Sequence, residues 1–498
     1  MRSALPGSAE AGTPAVDDDA AIEAVHDGPT TSQVDRSGSA APVSINGSAS
    51  RPTSRCEHER PVTTLVKDKH GRFGFVRGSR LVNNLPFIVG FMELGNAGDF
   101  AANVWNDVPV PIYAIVFMAI GGVVAGFLSI CAFRDAFVAC QNVYFLRRQR
   151  REQKAERQRR AEAGESLLDM DVYLAVTFRE LGSETIARWF MDLLLGFGAV
   201  LICVGTFMAI GGANRKVWLA SNLLSGYIGN APIAVYGLVN SGWCGYIFSK
   251  AQSHITATAA PLKGSQTATL IKRRSRNVQT FCIINGTATI LGGVGSMITA
   301  TRWWGYVILA PVIVSSVFCN VWWRRRVGYT RAWAKPTSFP ALVPGELVAE
   351  LEFAARAEIT IRENKDAPME HFVADPTSLP GILAFFERYD LFDSYCMRLV
   401  SRESGVRESD VCDALGGSQA TCTKLHIGIV ELLALDKSLY PRLLDAAHNC
   451  LRELGAEHFR NRERYTAELL GTYYLIAGSN VDFDGIEDAG GVTESSEK

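Results

Sequence analysis

The feature that most constrains this chain is a run of 24 uncharged, mostly apolar residues, VPIYAIVFMAIGGVVAGFLSICAF, at 110–133. A helix of about 20 apolar residues spans the ~30 Å hydrocarbon core of a lipid bilayer. Unpaired backbone groups are costly in that core, so a single spanning segment of this kind must be helical. The run therefore predicts a transmembrane helix, and similar runs elsewhere would make the chain an all-α, polytopic membrane protein.

Four further runs have the length and composition of membrane helices, at 189–212, 222–248, 278–300 and 303–323. The last is bracketed by Trp303, Trp304, Trp322 and Trp323, and tryptophan is enriched where a helix meets the membrane–water interface. The sequence thus predicts five clear spans.

Basic residues orient these spans, because the cytosolic loops of membrane proteins are enriched in Lys and Arg. The segments 147–160 and 249–277 are strongly basic, and three arginines follow the last span. The turns on the opposite side carry only Arg215, Lys216 and Arg302. The connection at 134–187, the loop at 249–277 and the C-terminal part are therefore expected in the cytosol.

The stretch 81–105 decides where the N-terminal part lies. Residues 61–80 are as basic as the cytosolic loops, and they remain in the cytosol only if 81–105 also crosses the membrane. We therefore predict six spans with both termini in the cytosol. The alternative is five spans plus a re-entrant segment at 81–105, which would place the N-terminus on the far side.

A sixth span must bury the carboxylates Glu93 and Asp99. On a helix with 100° per residue, Asn96, Asp99, Asn103 and Asn106 share one face, with Glu93 further round. A buried carboxylate takes up a proton or binds a cation, and amide oxygens are ligands for hard cations. We therefore predict an intramembrane polar site of five residues, Glu93, Asn96, Asp99, Asn103 and Asn230. The alternative is a protonated Asp99 that only makes hydrogen bonds between helices.

Two further features have both a functional and a structural interpretation. In SGYIGNAPIAVYG, residues Gly226, Gly229 and Pro232 predict a broken helix of the kind that exposes backbone groups in transporters, or alternatively a packed proline kink. The basic block offers candidate contacts with anionic lipid headgroups, or it only fixes the topology. Those contacts are Arg147, Arg148, Arg150 and Arg151.

The predicted organisation has nine parts. They are a disordered tail at 1–60, a basic juxtamembrane segment at 61–80, transmembrane hairpins at 81–133, 188–248 and 278–323, a basic helical connection at 134–187, a basic loop at 249–277, a cytosolic helical domain at 335–478 and an acidic tail at 479–498. Within this scheme, 165–181 is a surface helix that ends at Gly182, and 418–435 is an amphipathic helix. The domain at 335–478 is expected to fold alone and to offer a surface for a protein partner.

The chemistry of the chain is otherwise sparse. It has no Walker A, HExxH or GxSxG sequence, and its eleven cysteines show no metal-ligand spacing. A net charge of −1 gives no reason to expect a nucleic-acid partner. We therefore predict no cofactor, no metal centre and no enzyme. A transporter or channel and a membrane scaffold or adaptor remain as function classes, with a membrane-embedded enzyme less favoured.

The stretch SGYIGNAPIAVYGLVNSGW, with the helix pairing around it, resembles uncharacterised multi-pass integral membrane proteins of filamentous fungi. The resemblance covers about 81–480. It rests on no functional motif, and it implies a membrane protein without implying an activity.

Overall fold

The structure, a computed structural model, describes residues 62–68, 71–76, 78–105, 109–332, 339–400 and 424–490, with side chains as far as 478. Helices dominate the described residues. The predictions for 1–60, for Asn106 and for 491–498 concern residues outside the described part of the chain.

The first part of the chain forms a helical bundle. Its helices are α1 (Phe100–Val104), α2 (Ile112–Glu162), α3 (Leu168–Glu184), α4 (Met191–Ala209), α5 (Arg215–Ser221), α6 (Ala231–Ala259), α7 (Gln266–Thr299) and α8 (Gly305–Trp322). Shorter helical pieces join them: a 3-10 helix at Phe87–Gly95 and π-helical turns at Thr185–Phe190, Asn222–Ile228 and Trp323–Val327.

Four continuous helices are long and apolar enough to cross a membrane. They are Ile112–Glu162, Leu168–Ala209, Gln266–Thr299 and Gly305–Val327. Among the described residues, all but six of the exposed large hydrophobic side chains lie between Phe87 and Phe318. Apolar patches of that extent are typical of a surface that meets lipid or another protein. The predicted membrane-compatible, mostly helical architecture is therefore confirmed at this level.

Helix α6 is not one of those four, but it packs along α7 in antiparallel orientation. Ser241 donates a 2.7 Å hydrogen bond to the carbonyl of Gly286. At one end of this contact, the side-chain amide of Gln279 donates to the side-chain oxygen of Gln252 at 3.0 Å. At the other end, a Cβ on Gly293 would lie 2.9 Å from the Cα of Ala234. Helix α6 thus lies at the same depth as residues 279–293 of α7.

The segment 81–105 is not a regular α-helix. The spacing of 100° per residue, from which a shared polar face was predicted, therefore does not apply to it. A 3-10 helix at Phe87–Gly95 and turns at 96–99 precede the short α1. The segment runs antiparallel to α8. Asn320 donates to the carbonyl of Pro86 at 3.0 Å, whereas Tyr306 donates to Asp99 at 2.8 Å. Because a 3-10 helix rises about 2.0 Å per residue, this short segment follows α8 over most of its length.

Helices α3 and α4 are continuous through a π-helical turn, so the predicted stop at Gly182 is wrong. A Cβ on Gly182 would overlap the indole ring of Trp243. Trp243 also donates to the hydroxyl of Ser183 at 3.4 Å. The glycine therefore permits close packing between α3 and α6 rather than ending a helix.

The C-terminal part forms a separate core. Its helices are α9 (Pro344–Glu363), α10 (Leu379–Arg388), α11 (Phe392–Leu399), α12 (Ile429–Leu433) and α13 (Tyr440–Gly490), with 3-10 turns at Pro368–His371 and Lys437–Leu439. The long α13 packs against α9 and also reaches α3, α6 and α7 of the bundle. It continues beyond 479, into the segment predicted as a disordered tail.

Strands from both ends of the chain complete this core. The strands are β1 (Val62–Lys67), β2 (Phe73–Phe75), β3 (Arg80–Leu81), β4 (Arg331–Ala332) and β5 (Lys424–Gly428). They pair in the orders β2-β1-β5 and β3-β4. The buried core that holds α9 to α13 includes Leu65 and Phe73. It therefore extends outside the predicted 335–478 boundaries.

The helix predicted for 418–435 is wrong at 424–428, which form β5. In that strand Leu425 and Ile427 are buried, whereas Lys424 and His426 are exposed. This alternation with a period of two is typical of a strand with one buried face. Residues 418–423 lie outside the described part of the chain.

Candidate functional site

Asp99, Asn103 and Tyr306 form a closed hydrogen-bonded group between the 81–105 segment and α8. The Tyr306 hydroxyl donates to one oxygen of Asp99 at 2.8 Å. The Asn103 amide donates to the other oxygen at 2.9 Å and to the Tyr306 hydroxyl, also at 2.9 Å. Asp99 is fully buried. Both of its oxygens accept hydrogen bonds from neutral donors, an arrangement that suits an ionised carboxylate.

A second buried carboxylate, Glu93, lies further along the same segment. It accepts a hydrogen bond from the side-chain amide of Asn96. A Cβ on Gly292 would lie 3.9 Å from a carboxylate oxygen of Glu93 and 3.2 Å from Val312. Glu93 is therefore enclosed between its own segment, α7 and α8. Within the described part of the chain, neither Glu93 nor Asp99 has a cationic neighbour.

The asparagine amides act as donors in this site. Asn96 and Asn103 direct their nitrogens towards the two carboxylates. A cation site would instead need their amide oxygens as ligands, which requires both amides to turn over. No group of three or more Asp, Glu, His or Cys side chains suited to a metal ion occurs in the residues that the structure describes. In this arrangement the amide nitrogens, and not the amide oxygens, face the two carboxylates.

Asn230 belongs to a different contact. Its amide donates to the carbonyls of Gly226, at 3.0 Å, and Ser296, at 2.9 Å. Its amide oxygen is buried without a hydrogen-bond partner among the described residues. The structure therefore brings Glu93 together with Asn96, and Asp99 with Asn103, but it gives Asn230 other partners.

The predicted break around Pro232 corresponds to a change of helix type. A π-helical turn contains Gly226, and α6 starts just after Gly229 and Asn230, with Pro232 in its first turn. Proline is well tolerated there because the first amides of a helix have no intrahelical acceptor. A Cβ on Gly229 would meet the carbonyls of Leu224 and Ser225 at 3.1 Å. The change of helix type thus occurs where Gly229 leaves room for these carbonyls.

Two glycines bring the acidic segment close to α2. A Cβ on Gly121 would overlap the carbonyl oxygen of Gly98, and one on Gly98 would lie 2.9 Å from the carbonyl of Gly121. Backbone contact of this kind requires glycine on both sides. Gly98 immediately precedes Asp99, so this contact fixes the backbone that carries the buried carboxylate.

A third acidic group, which the sequence analysis missed, surrounds Arg188. This guanidinium binds both oxygens of Asp135, at 2.7 and 3.1 Å. It also donates to Asn84 at 2.6 Å and lies 3.5 Å from Glu184. Asp192, fully buried nearby, lies against Asp135 and interacts with the charge of Arg188. Three carboxylates thus share one arginine.

A signal for this group is present in the sequence. Glu184, Arg188 and Asp192 recur every four residues, so they share one face of a helix. The partner Asp135 is 53 residues from Arg188, and only the folded bundle brings the two together.

The four candidate headgroup arginines differ in their surroundings. Arg150 donates to the carbonyl of Leu174 at 2.8 Å and is packed against α3. Arg147, Arg148 and Arg151 are exposed. On an untilted α2, a ~30 Å core that starts at Ile112 leaves Arg147 about 22 Å beyond the core. Contact with headgroups therefore requires a strong tilt, whereas a role in fixing topology does not.

Comparison of the chain with models of protein families, with curated proteins and with solved structures finds no significant match.

Proposed function

We propose that the chain crosses the membrane six times, with both ends in the cytosol. Strand β1 pairs with β5 of the C-terminal part, which requires an even number of crossings between them. The four long apolar helices, with α6 alongside α7, supply five. The segment 81–105 follows α8 from the level of Asn320 to that of Tyr306, and this supports a sixth crossing.

We further propose that the protein is a transporter or channel in which protons or a small cation interact with buried carboxylates. One observation carries the proposal: acidic groups occur at three successive levels along the irregular 81–105 segment. Asn84 contacts the Arg188 group near the cytosolic end, Glu93 lies at the level of Val312, and Asp99 lies at the far end beside Tyr306. Ionisable groups within membrane bundles usually mark ion pathways or proton relays.

The irregular backbone of the 81–105 segment also supports the proposal of a transporter or channel. Non-helical segments at membrane depth occur where protein or a cavity covers them, and in transporters such segments often bind the transported species. Protonation of Asp99 would change the hydrogen-bonded group, because a protonated oxygen no longer accepts from Tyr306 or Asn103 in the same way. Asp99 is therefore the residue at which uptake of a proton or cation and a change in packing are coupled.

A scaffold or adaptor is the second candidate. The separate core of the C-terminal part, with its own strands and helices, is the observation that favours it. Such a protein would present this part to a partner in the cytosol, with the bundle as its anchor.

Flux across vesicles distinguishes the two functions. Purified full-length protein is reconstituted into liposomes that contain a pH-sensitive, Na⁺-sensitive or K⁺-sensitive dye, and a gradient of the ion that the dye reports is applied. We expect saturable uptake in response to one of these gradients. Asp99→Asn removes the charge with little change in shape, and it should reduce uptake at least tenfold.

The matched control is Asp366→Asn, at an exposed carboxylate in the loop after α9, which should transport like the wild type. Wild-type vesicles that match empty liposomes with every gradient would rule out the transporter and leave the scaffold. Full uptake by Asp99→Asn would remove the carboxylate from the mechanism.

A further inference from the structure

A small void lies where α3, α6, α7 and α13 meet. Its lining includes Arg179, Lys250, His254, Arg274 and Glu468. Each of these side chains is less than 10 % exposed. The void is about the size of one water molecule, and it is built jointly by the bundle and by the C-terminal helix.

Among the side chains that line the void, positive charge is in excess. The nearby carboxylates Glu180 and Glu463 are paired with Arg331 and Arg273. Arg179, Lys250 and Arg274 contribute three cations, whereas Glu468 contributes one carboxylate. That carboxylate is already in an ion pair with Arg179, at 2.7 Å. Uncompensated charge in a buried site is expensive unless a counter-ion is present. The surplus of positive charge therefore points to an anion.

The guanidinium of Arg274, which lines the void, has hydrogen-bond donors without acceptors among the described residues. Its Nη1 atom donates to the carbonyls of Val327, at 2.6 Å, and Arg326, at 3.3 Å. Its Nε and Nη2 atoms are buried without a hydrogen-bond partner among the described residues. Those two nitrogens form the side edge of the guanidinium, whose parallel N–H groups suit one acceptor. The ring of Tyr329 lies 5.6 Å from the guanidinium carbon, which gives a cation–π contact but no oxygen or anion as an acceptor for these two nitrogens.

Lys250 supplies further donors. Its ammonium group donates to the carbonyl of Ala175 at 3.1 Å, and an ammonium carries three protons. Arg274 and Lys250 come from neighbouring helices, so one anion in the void has donors from both.

We propose that this void binds a single monatomic halide, chloride in the cell, between Arg274 and Lys250. The small size of the void excludes phosphate and lipid headgroups. A halide is somewhat larger than water, so it enters with a small outward movement of the lining side chains. The bound chloride compensates the surplus charge and holds α13 to the cytosolic ends of α3, α6 and α7. This site is separate from the carboxylates of the 81–105 segment, so its test is independent of the transport proposal.

Binding is tested on purified full-length protein in detergent, by equilibrium dialysis with radiolabelled chloride in a sodium gluconate buffer of constant ionic strength. We expect saturable binding of about one chloride per chain, with displacement by bromide and not by gluconate. Saturating chloride should also raise the Tm, followed by tryptophan fluorescence, by about 2 to 5 °C.

Arg274→Gln should abolish both the binding and the chloride-dependent rise in Tm. Lys272→Gln, two residues away and exposed, is the matched control and should retain both. Should Arg274→Gln fail to fold, Lys250→Gln serves instead, with an expected affinity loss of at least tenfold. The proposal is overturned if the wild type shows no saturable chloride binding, or if the folded variant binds chloride as tightly as the wild type.

Discussion

Leu65 of β1 lies directly opposite Leu425 of β5 in an antiparallel pair. Both side chains are buried in the same core. Between these two residues, the chain passes through every helix of the membrane bundle. The pairing therefore joins the start of the described chain to its C-terminal part.

Leu65→Ala tests the pairing of β1 with β5 directly. Leu65 is fully buried, and Leu to Ala changes in a core cost about 2 to 5 kcal/mol. We expect a loss of this size in the free energy of unfolding of the C-terminal part, measured by denaturant titration of the full-length protein in detergent. Val62→Ala, at an exposed position of the same strand, should cost under about 0.5 kcal/mol. Equal losses in the two variants would contradict the pairing.

Labelling of single cysteines tests the six-crossing topology. Val76→Cys and Lys263→Cys should react with a membrane-impermeant maleimide only from the cytosolic side, whereas Arg302→Cys should react only from the opposite side. Unsubstituted protein gives the background from native cysteines. With five crossings, Val76→Cys would instead react together with Arg302→Cys. The same topology predicts that the sequon at Asn46 stays unglycosylated in eukaryotic cells, with no endoglycosidase-sensitive change in mass.

Gly121→Ala tests the close contact that positions Asp99. The added methyl group would overlap the carbonyl oxygen of Gly98, so one of the two backbones must move. We expect a strong loss of folded protein on size-exclusion chromatography after extraction. Gly242→Ala is the control, because nothing lies within 4 Å of its added Cβ and alanine stabilises a helix by about 1 kcal/mol relative to glycine. Normal recovery of Gly121→Ala would show that the contact is not tight.

Tyr306→Phe tests the hydrogen-bonded group around Asp99. The change removes the donor to Asp99 and the acceptor for Asn103 without leaving a large cavity. We expect the protein to lose about 1 to 3 kcal/mol of stability, the usual cost of an unsatisfied buried polar group. Tyr113→Phe, at an exposed position, should melt at the wild-type temperature. A wild-type melt for Tyr306→Phe would indicate that Asp99 does not depend on this hydroxyl.

Glu468 predicts a dependence of stability on pH. Burial raises the pKa of this carboxyl, but the charges of Arg179, His254, Arg274 and Lys250 outweigh burial and lower it to about 2. A pKa depressed from 4.5 gives stabilisation that is complete above pH 4.5 and is lost as the pH falls towards 2. The stability gap between wild type and Glu468→Gln should therefore be largest above pH 4.5. This difference in the free energy of unfolding should narrow by about 3 kcal/mol towards pH 2.

Denaturant titrations at pH 7, 5 and 3 measure this gap. Glu457→Gln, at an exposed position of the same helix, should track the wild type at each pH. A gap that stays constant between pH 7 and pH 3 would mean that Glu468 is not held ionised by its neighbours.

The membrane helices were predictable because a run such as 110–133 has few alternatives once it contains no charge. The continuation of α2 to Glu162 follows from the same sequence, since 147–160 is rich in helix-forming Arg, Gln and Glu. For the 81–105 segment, burial could be predicted from the sequence but the backbone geometry could not. Its polar residues were expected to be buried, and Glu93, Asn96 and Asp99 are. The 3-10 geometry depends on close contacts with α2 and α8, which no local pattern encodes.

The parts that were missed depend on contacts between distant residues. The alternation of Leu425 and Ile427 with polar residues is visible in the sequence, but the apolar residues that follow fit helical spacing as well. Only the pairing with β1 decides between the two. In the same way, Arg188 has an evident helical face, but its main partner Asp135 comes from another helix.

The strand pairing also determines when folding of the C-terminal part can be completed. Thr64 and His426 are 362 residues apart, and chains are synthesised at about 5 to 20 residues per second. Strand β1 therefore waits about 20 to 70 s for β5, while every bundle helix between them leaves the ribosome. Throughout that interval β1 can pair with β2, but its other edge has no partner strand. The core of the C-terminal part can therefore close only after residue 428 has been made, when all the helices of the bundle are already complete.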